Sequence, residues 1–195
     1  MKWIKRILLS VLVLSILVIG ISFFLPKMSL VERTATINAK PHVVFGIVND
    51  LKSYDTWMTW NQMDPNWKVK MSANSVGQGA TYSWESEKTD VGIGTMLITE
   101  SKPYEKVASN LTIEGMGTSP CSFNLSPDGA GTKVNWKMAS DMSQSPFIFS
   151  VMGKWMAALG IMDKMAGDEF EKSLANMKKI AESPEGAKYA PVPVQ

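Results

Sequence analysis

The chain has 195 residues, 20 of them Lys or Arg and 18 Asp or Glu, with one His and one Cys. Three of the basic residues and none of the acidic ones precede residue 27, so the remainder is close to neutral and lacks the clustered positive charge that nucleic-acid binding requires. A lone cysteine excludes an internal disulfide, and one His with one Cys excludes a His/Cys metal centre.

Lys2, Lys5 and Arg6 precede an uncharged run from Ile7 to Leu25 that ends at Pro26-Lys27. As a helix this run would extend roughly 28 Å, close to the thickness of a bilayer's hydrocarbon core. A cleaved signal peptide has a shorter apolar region and a small-residue cleavage site, which Ser22-Phe23-Phe24-Leu25-Pro26-Lys27 does not offer. The expectation is an uncleaved transmembrane anchor over residues 1–27. With Lys2, Lys5 and Arg6 on one side, and only Lys27 and Arg33 close on the other, the amino end is expected in the cytoplasm. In a bacterium this places the remaining chain in the periplasm as part of a single-pass inner-membrane protein.

From Leu30 to Ala39 the residues alternate, with Val31, Arg33, Ala35 and Ile37 on one face, as in a half-buried strand. Pro41 then suits the first turn of a helix through Val43, Val44, Phe45, Ile47 and Val48, and a second short helix is expected over Leu51–Trp57. Six further strands are expected at Trp67–Ala73, Ala80–Glu87, Gly94–Ser101, Lys106–Glu114, Thr118–Ser126 and Thr132–Ser140. Breaks at Gly77-Gln78-Gly79, Lys102-Pro103 and Asp128-Gly129-Ala130-Gly131 point to antiparallel hairpins.

After Pro146 the period becomes helical, and Ile148, Met152, Trp155, Met156, Leu159, Met162, Phe170, Leu174, Met177 and Ile180 project onto one apolar stripe. Asp168 and Glu171 lie off it, and Trp155, Leu159, Met162, Phe170, Leu174 and Met177 are expected to pack on a sheet. Gly153, Gly160 and Gly167 leave open whether one helix or two carry the stripe. Strands followed by a helix indicate an α+β domain over residues 28–183, and the Gly- and Pro-containing segment 184–195 reads as a disordered tail.

Residues able to carry chemistry are few. Cys121 reads as a small buried hydrophobe on a strand, and its only possible base, His42, sits next to Pro41 at a helix start. Glu85, Glu87 and Asp90 read as a solvated strand end, Asp64-Pro65 as a loop-shaping pair, and Asp163 and Glu169 as carboxylates flanking the helix stripe. No catalytic set, nucleotide-binding fingerprint, metal site or cofactor signature is present.

The stretch Pro41-His42-Val43-Val44-Phe45 to Asp50, with Tyr54, Trp57, Trp60 and Asp64-Pro65 after it, resembles the start of membrane-anchored members of the START-like superfamily, also called SRPBCC or polyketide cyclase/dehydrase and lipid transport proteins. Gly77-x-Gly79-x-x-Tyr82-x-Trp84, Gly131-Thr132-x-Val134-x-Trp136 and Asp168-x-Phe170-x-x-x-Leu174-x-x-Met177-Lys178 continue the resemblance over about residues 29–182. It implies a helix-grip, a curved antiparallel sheet wrapped around the last helix with a hydrophobic cavity between them. Relatives bind lipids, sterols or polyketides, some catalyse cyclisation, and no catalytic set is shared among them. Fourteen methionines give the chain the adaptable apolar inventory of a promiscuous pocket. Tyr82, Trp84, Trp136 and Met138 from strands, with Met162 and Phe170 from the helix, are the residues expected to line the cavity and bind a small hydrophobic or lipidic ligand. Two other readings stay open. An interaction or regulatory protein would fill the pocket with its own side chains, and a cyclase- or hydrolase-type enzyme would need a buried acid-base pair.

Overall fold

A computed structural model describes residues 2–89 and 91–190. The alternating segments form seven strands: β1 (Met28–Ile37), β2 (Lys68–Met71), β3 (Thr81–Glu85), β4 (Ile93–Lys102), β5 (Lys106–Ile113), β6 (Gly117–Asp128) and β7 (Gly131–Asp141). They make one antiparallel sheet in the order β1-β7-β6-β5-β4-β3-β2. From β2 to β7 each strand pairs with the next in sequence. The helices between β1 and β2 carry the chain to the far edge, leaving β1 to pair with β7.

Among the described residues five α-helices accompany the sheet: α1 (Lys2–Ser22), α2 (Pro41–Asn49), α3 (Tyr54–Trp57), α4 (Phe147–Ala158) and α5 (Ile161–Ala181). Pro41 opens α2, where its missing N–H costs nothing. Val44, Phe45, Ile47 and Val48 then bury one side of the helix. The concave face of the sheet is apolar because the inward positions of successive strands carry Val31 and Ile37, Tyr82, Met96 and Ile98, Val107 and Leu111, Phe123 and Leu125, then Val134, Trp136 and Met138. The sheet curves around α5, the helix-grip arrangement that the family resemblance implies.

A bulge in β4 puts one extra residue, Thr99, between the pairs Ile98–Ser109 and Glu100–Ala108. Strand phase reverses there, so Ser101 turns inward and donates to Asn49 Oδ1 on α2 at 2.7 Å.

At the centre of the core Trp136 of β7 stacks on Phe170 of α5, with ring centroids 3.7 Å apart and planes 5° from parallel. Ring quadrupoles alone disfavour a face-to-face sandwich, but Trp60 presents its edge to both rings, at 6.2 and 5.8 Å, and Phe123 closes the other side of Trp136 at 4.8 Å. Trp57 adds edges to Phe123 and Trp136 while its indole N–H donates to Ser53 Oγ at 3.0 Å, so its polar atom is satisfied inside the core.

Arg33, one residue of the inward face of β1, is clamped between Glu171 Oε1 at 2.7 Å and Asp163 Oδ1 at 2.9 Å, both on α5. The guanidinium lies flat on the helix over Gly167, where a Cβ would come within 1.8 Å of Arg33 Nη2. Gly167 is therefore a close-approach glycine, and the pair of exposed carboxylates adds registry more than stability.

Two expectations are corrected. The stripe from Ile148 to Ile180 does not run along one surface, because Gly160 adopts a left-handed conformation with φ 71° and separates α4 from α5. The helical phase is lost there: Phe170, Leu174 and Met177 are buried on the sheet, whereas Ile148, Met152 and Leu159 are exposed and Trp155 turns toward α1. The second correction concerns Pro184–Tyr189, read as tail, which forms a 3-10 helix. It docks on α2 so closely that a Cβ on Gly46 would collide with the Tyr189 carbonyl at 1.7 Å. Ser183 caps this turn by accepting from the Glu185 N–H at 3.1 Å. The last five residues, 191–195, lie outside the described residues.

Phe170→Ala should destabilise the protein by about 3–5 kcal/mol, since it removes one face of a fully buried stack and leaves a void. Denaturant unfolding of the full chain in detergent measures this, and a loss below about 1 kcal/mol would contradict the packing described.

Candidate functional site

Side chains fill the concave groove along only part of its length. Along β7, Val134 and Trp136 belong to the packed core, whereas Met138 and Ser140 border a cavity of about 380 Å³. On α5, Met162 in the first turn borders it, and Phe170, two turns later, does not. The sheet supplies one wall through Tyr82 and Trp84 on β3, Met96 on β4, Leu111 and Ile113 on β5, and Ser119 on β6. Trp60, Asn61, Met63 and Trp67, from the connection before β2, form one end, and Phe149, Met152, Gly153 and Met156 of α4 close the opposite side.

Of the six residues expected at the cavity, Tyr82, Trp84, Met138 and Met162 line it. Trp136 and Phe170 stand behind it as the stack that bounds the core. The alternation on β3 is unbroken, with Tyr82 opposite Met96 and Trp84 opposite Gly94, so both aromatic rings share the inner face. Gly94 is what lets the Trp84 ring lie across β4, since a Cβ there would come within 2.2 Å of the indole. The indole N–H donates to the Val91 carbonyl at 3.2 Å, which fixes the ring plane, and Trp67 packs against both Tyr82 and Trp84.

Besides the Ser145 hydroxyl, which is bonded to the Met116 carbonyl, polar groups enter the cavity at two places. At one end the Tyr82 hydroxyl donates to Asp55 Oδ1 at 2.9 Å and accepts from Asn61 Nδ2 at 3.0 Å. Burial first, and the Asp55 carboxylate second, push the Tyr82 phenol above its ordinary value, so it remains a proton donor. At the other end the hydroxyls of Ser119 and Ser140 bond to each other at 2.8 Å across β6 and β7. No carboxylate, imidazole, thiol or amine lines the cavity among the described residues.

The remaining candidates lie elsewhere. Cys121 is buried on β6, where desolvation pushes its thiol up to about 12, and among the described residues it has no basic partner, which leaves an inert apolar side chain. His42 is half-buried at the start of α2, edge-on to Tyr104 at 6.5 Å. Asp64 accepts from the Ser86 hydroxyl and from the Asn66 N–H at 3.0 Å. These bonds hold its carboxyl below the usual range and close the loop before β2. Asp163 is engaged by Arg33, and Glu169 by Lys172 at 2.6 Å. Glu85 and Glu87 are exposed, and Asp90 lies outside the described residues. Among the described residues no cluster of His, Cys, Asp and Glu could hold a metal ion.

The contribution of α4 was not foreseen from sequence as a cavity wall. Phe149 and Gly153 flank the expected stripe, and only the turn at Gly160 swings α4 over the open end of the groove.

Gly94→Ala should drive the Trp84 ring off β4 into the cavity and break its bond to Val91. A shift of the Trp84 indole N–H resonance in a proton–nitrogen spectrum, with the other indole signals in place, reads this out.

Solved structures with the same arrangement include protein CV1439 from Chromobacterium violaceum, at TM-score 0.56 and 11% identity over 80% of this chain and 99% of that one. A Staphylococcus epidermidis protein solved by NMR matches at 0.55 and 12% identity over 80% and 90%, and a Staphylococcus aureus protein at 0.54 and 9% over 80% and 98%. At these identities the likeness is one of fold. No curated protein matches the sequence. The family model described as polyketide cyclase / dehydrase and lipid transport matches residues 28–182, the whole of the sheet and of the helix it encloses, and the chain belongs to that family.

Proposed function

We propose that this protein is a membrane-anchored module that binds a small hydrophobic or lipidic ligand between the sheet and the C-terminal helices without changing it chemically. The observation that carries this reading is the cavity itself. Its volume of about 380 Å³ lies within the roughly 300–1,000 Å³ of small-molecule sites, and it is walled by Met and aromatic side chains with a few hydrogen-bonding groups at its ends. Met138, Met162, Tyr82 and Trp84 would contact the ligand's apolar body, and Trp136 on Phe170 would hold the wall behind them. A polar end group would meet Asn61 and the Tyr82 hydroxyl, or the Ser119–Ser140 pair. General-base catalysis requires a group that can take a proton beside the reacting atoms, and among the described residues the lining holds no carboxylate, imidazole, thiol or amine, while burial keeps the Tyr54 and Tyr82 phenols protonated.

The anchor in this reading is α1, 21 residues of mean hydropathy 2.4 over its most apolar window, with only Ser22 buried in the folded chain. Its uncharged part, residues 7–22, is about 24 Å long at 1.5 Å per residue, and the apolar run continues through Phe23-Phe24-Leu25 to approach the thickness of a bilayer core. The charge bias around it favours an N-terminus in the cytoplasm and the domain on the far side, which in a bacterium is the periplasm.

Extraction of the purified full chain followed by lipid mass spectrometry tests ligand binding directly, and a reproducible co-purifying species is expected. With a fluorescent fatty acid as probe, Met156→Trp and Met162→Trp should each fill the cavity and weaken binding about tenfold or more, an effect of about 1.4 kcal/mol, at nearly unchanged melting temperature. No bound lipid, together with no probe binding by the unmodified chain, would favour an interaction protein instead.

Fusing a reporter after Gln195 tests topology. Activity outside the cytoplasm is expected, and transferring Lys2, Lys5 and Arg6 to the far flank of α1 should weaken or invert it. Cytoplasmic activity of the unaltered protein would overturn the orientation.

A further inference from the structure

The outward side of α4 is an apolar surface that the rest of the domain leaves uncovered. Phe147, Ile148 and Leu159 are 59%, 68% and 66% exposed, and the twelve residues from Phe147 to Ala158 hold a single charge, Lys154, which is buried. A helix without a polar outer face is ordinarily covered by protein or lipid, because exposing its apolar side to water is unfavourable.

Its neighbour indicates what covers it. The Trp155 indole N–H donates to the Val18 carbonyl of α1 at 3.2 Å, and the Lys154 ammonium sits 5.9 Å from the centre of the Phe23 ring. Val18 is four residues, or about 6 Å, before the end of α1, so α4 is held at the depth where that helix leaves the hydrocarbon core. Interfacial helices bury their apolar face to a depth of about 5–10 Å, and Trp and Lys are the side chains that mark this boundary. Phe23 and Phe24, both exposed at the end of α1, add to the same aromatic band.

We propose that α4 docks into the surface of the bilayer that α1 spans, so that the cavity opens toward the lipid and not toward water. Phe149 and Met152 both line the cavity and reach the surface, as does Met116 in the turn between β5 and β6, and these three mark the mouth. The turn is tied to the start of α4 by the Ser145 hydroxyl, which donates to the Met116 carbonyl at 3.4 Å, and by Gln144 Oε1, which accepts from the Thr118 N–H at 2.9 Å. A hydrophobic ligand would then pass between membrane and cavity without crossing the aqueous phase. This inference rests on the reading of α1 as an uncleaved span.

The test uses the full chain reconstituted into phosphatidylcholine–phosphatidylglycerol vesicles. Ile148→Cys, Leu159→Cys and Met116→Cys variants are labelled one at a time with an environment-sensitive fluorophore. Leu14→Cys serves as the probe of α1, and Asn135→Cys on the outer sheet face as the aqueous control. Cys121, buried and with its thiol raised by desolvation, stays in place, and the unmodified protein serves as the control for its labelling. Lipids carrying a nitroxide either near the headgroup or at mid-chain then quench by depth. The probes at 148, 159 and 116 should be quenched most by the shallow nitroxide, the probe at 14 most by the deep one, and the probe at 135 by neither. If the probe at 14 is quenched and those at 148 and 159 are not, α4 faces water or a protein partner and the proposal fails while the anchor stands. If 148 and 159 are quenched and 116 is not, the mouth does not face the lipid. An unquenched probe at 14 overturns the anchor, and the docking with it.

Discussion

With ring centroids 3.7 Å apart, Trp136 and Phe170 bring β7 and α5 as close as two flat side chains allow, and that contact divides the groove of the sheet into two unlike halves. On its C-terminal side α5 descends fully, and Leu174 and Met177 complete a dry core with Val134, Ile37 and α2. Toward the start of α5 no comparable aromatic fills the gap, and the helix ends at Gly160 before it covers the remaining strands. The cavity is what remains of the groove beyond the stack. Trp57, Trp60 and Phe123 give the stack its rigidity, since they present edges or faces to it from three directions.

The same division separates the packed half of the groove from the half that the proposed binding role would use. Tightly packed interiors transmit any loss of volume as a large free-energy cost, so the half containing Phe170 tolerates little. Methionines dominate the other half, at 58, 63, 96, 116, 138, 142, 152, 156 and 162, and their unbranched thioethers adopt alternative rotamers at low cost. A wall of this kind accepts differing apolar shapes. The sparse polar groups at its two ends are uncharged, and in the proposed binding role they would orient a neutral or singly polar ligand.

Electrostatics act mainly outside the cavity. Arg33 meets its two carboxylates on the side of α5 that leans on β1, and the glycine beneath it permits a contact that a methyl group would forbid. The carboxylates are exposed and screened, so the bridge steers the helix more than it stabilises the fold. The effect is to set the angle at which α5 begins, and hence where the turn at Gly160 delivers α4. From there Trp155 and Lys154 join the domain to the end of α1, which ties the open half of the groove to the hydrophobic helix of the chain.

Periodicity in the sequence determined the seven strands, the two short helices after β1 and the buried face of α5, because alternation and helical spacing are local properties that burial amplifies without altering. It also placed Tyr82, Trp84, Met138 and Met162 on inward faces, and all four line the cavity. Facing inward does not distinguish a core position from a cavity position. Trp136 and Met138 are neighbours on one face of β7, and only the distance to α5 decides that the first is stacked and the second borders open space. The bulge at Thr99, the loss of helical phase at Gly160 and the docking of Pro184–Tyr189 on Gly46 were likewise decided by tertiary structure. Each depends on a partner far away in the chain, and a pattern read along a single strand or helix carries no term for it.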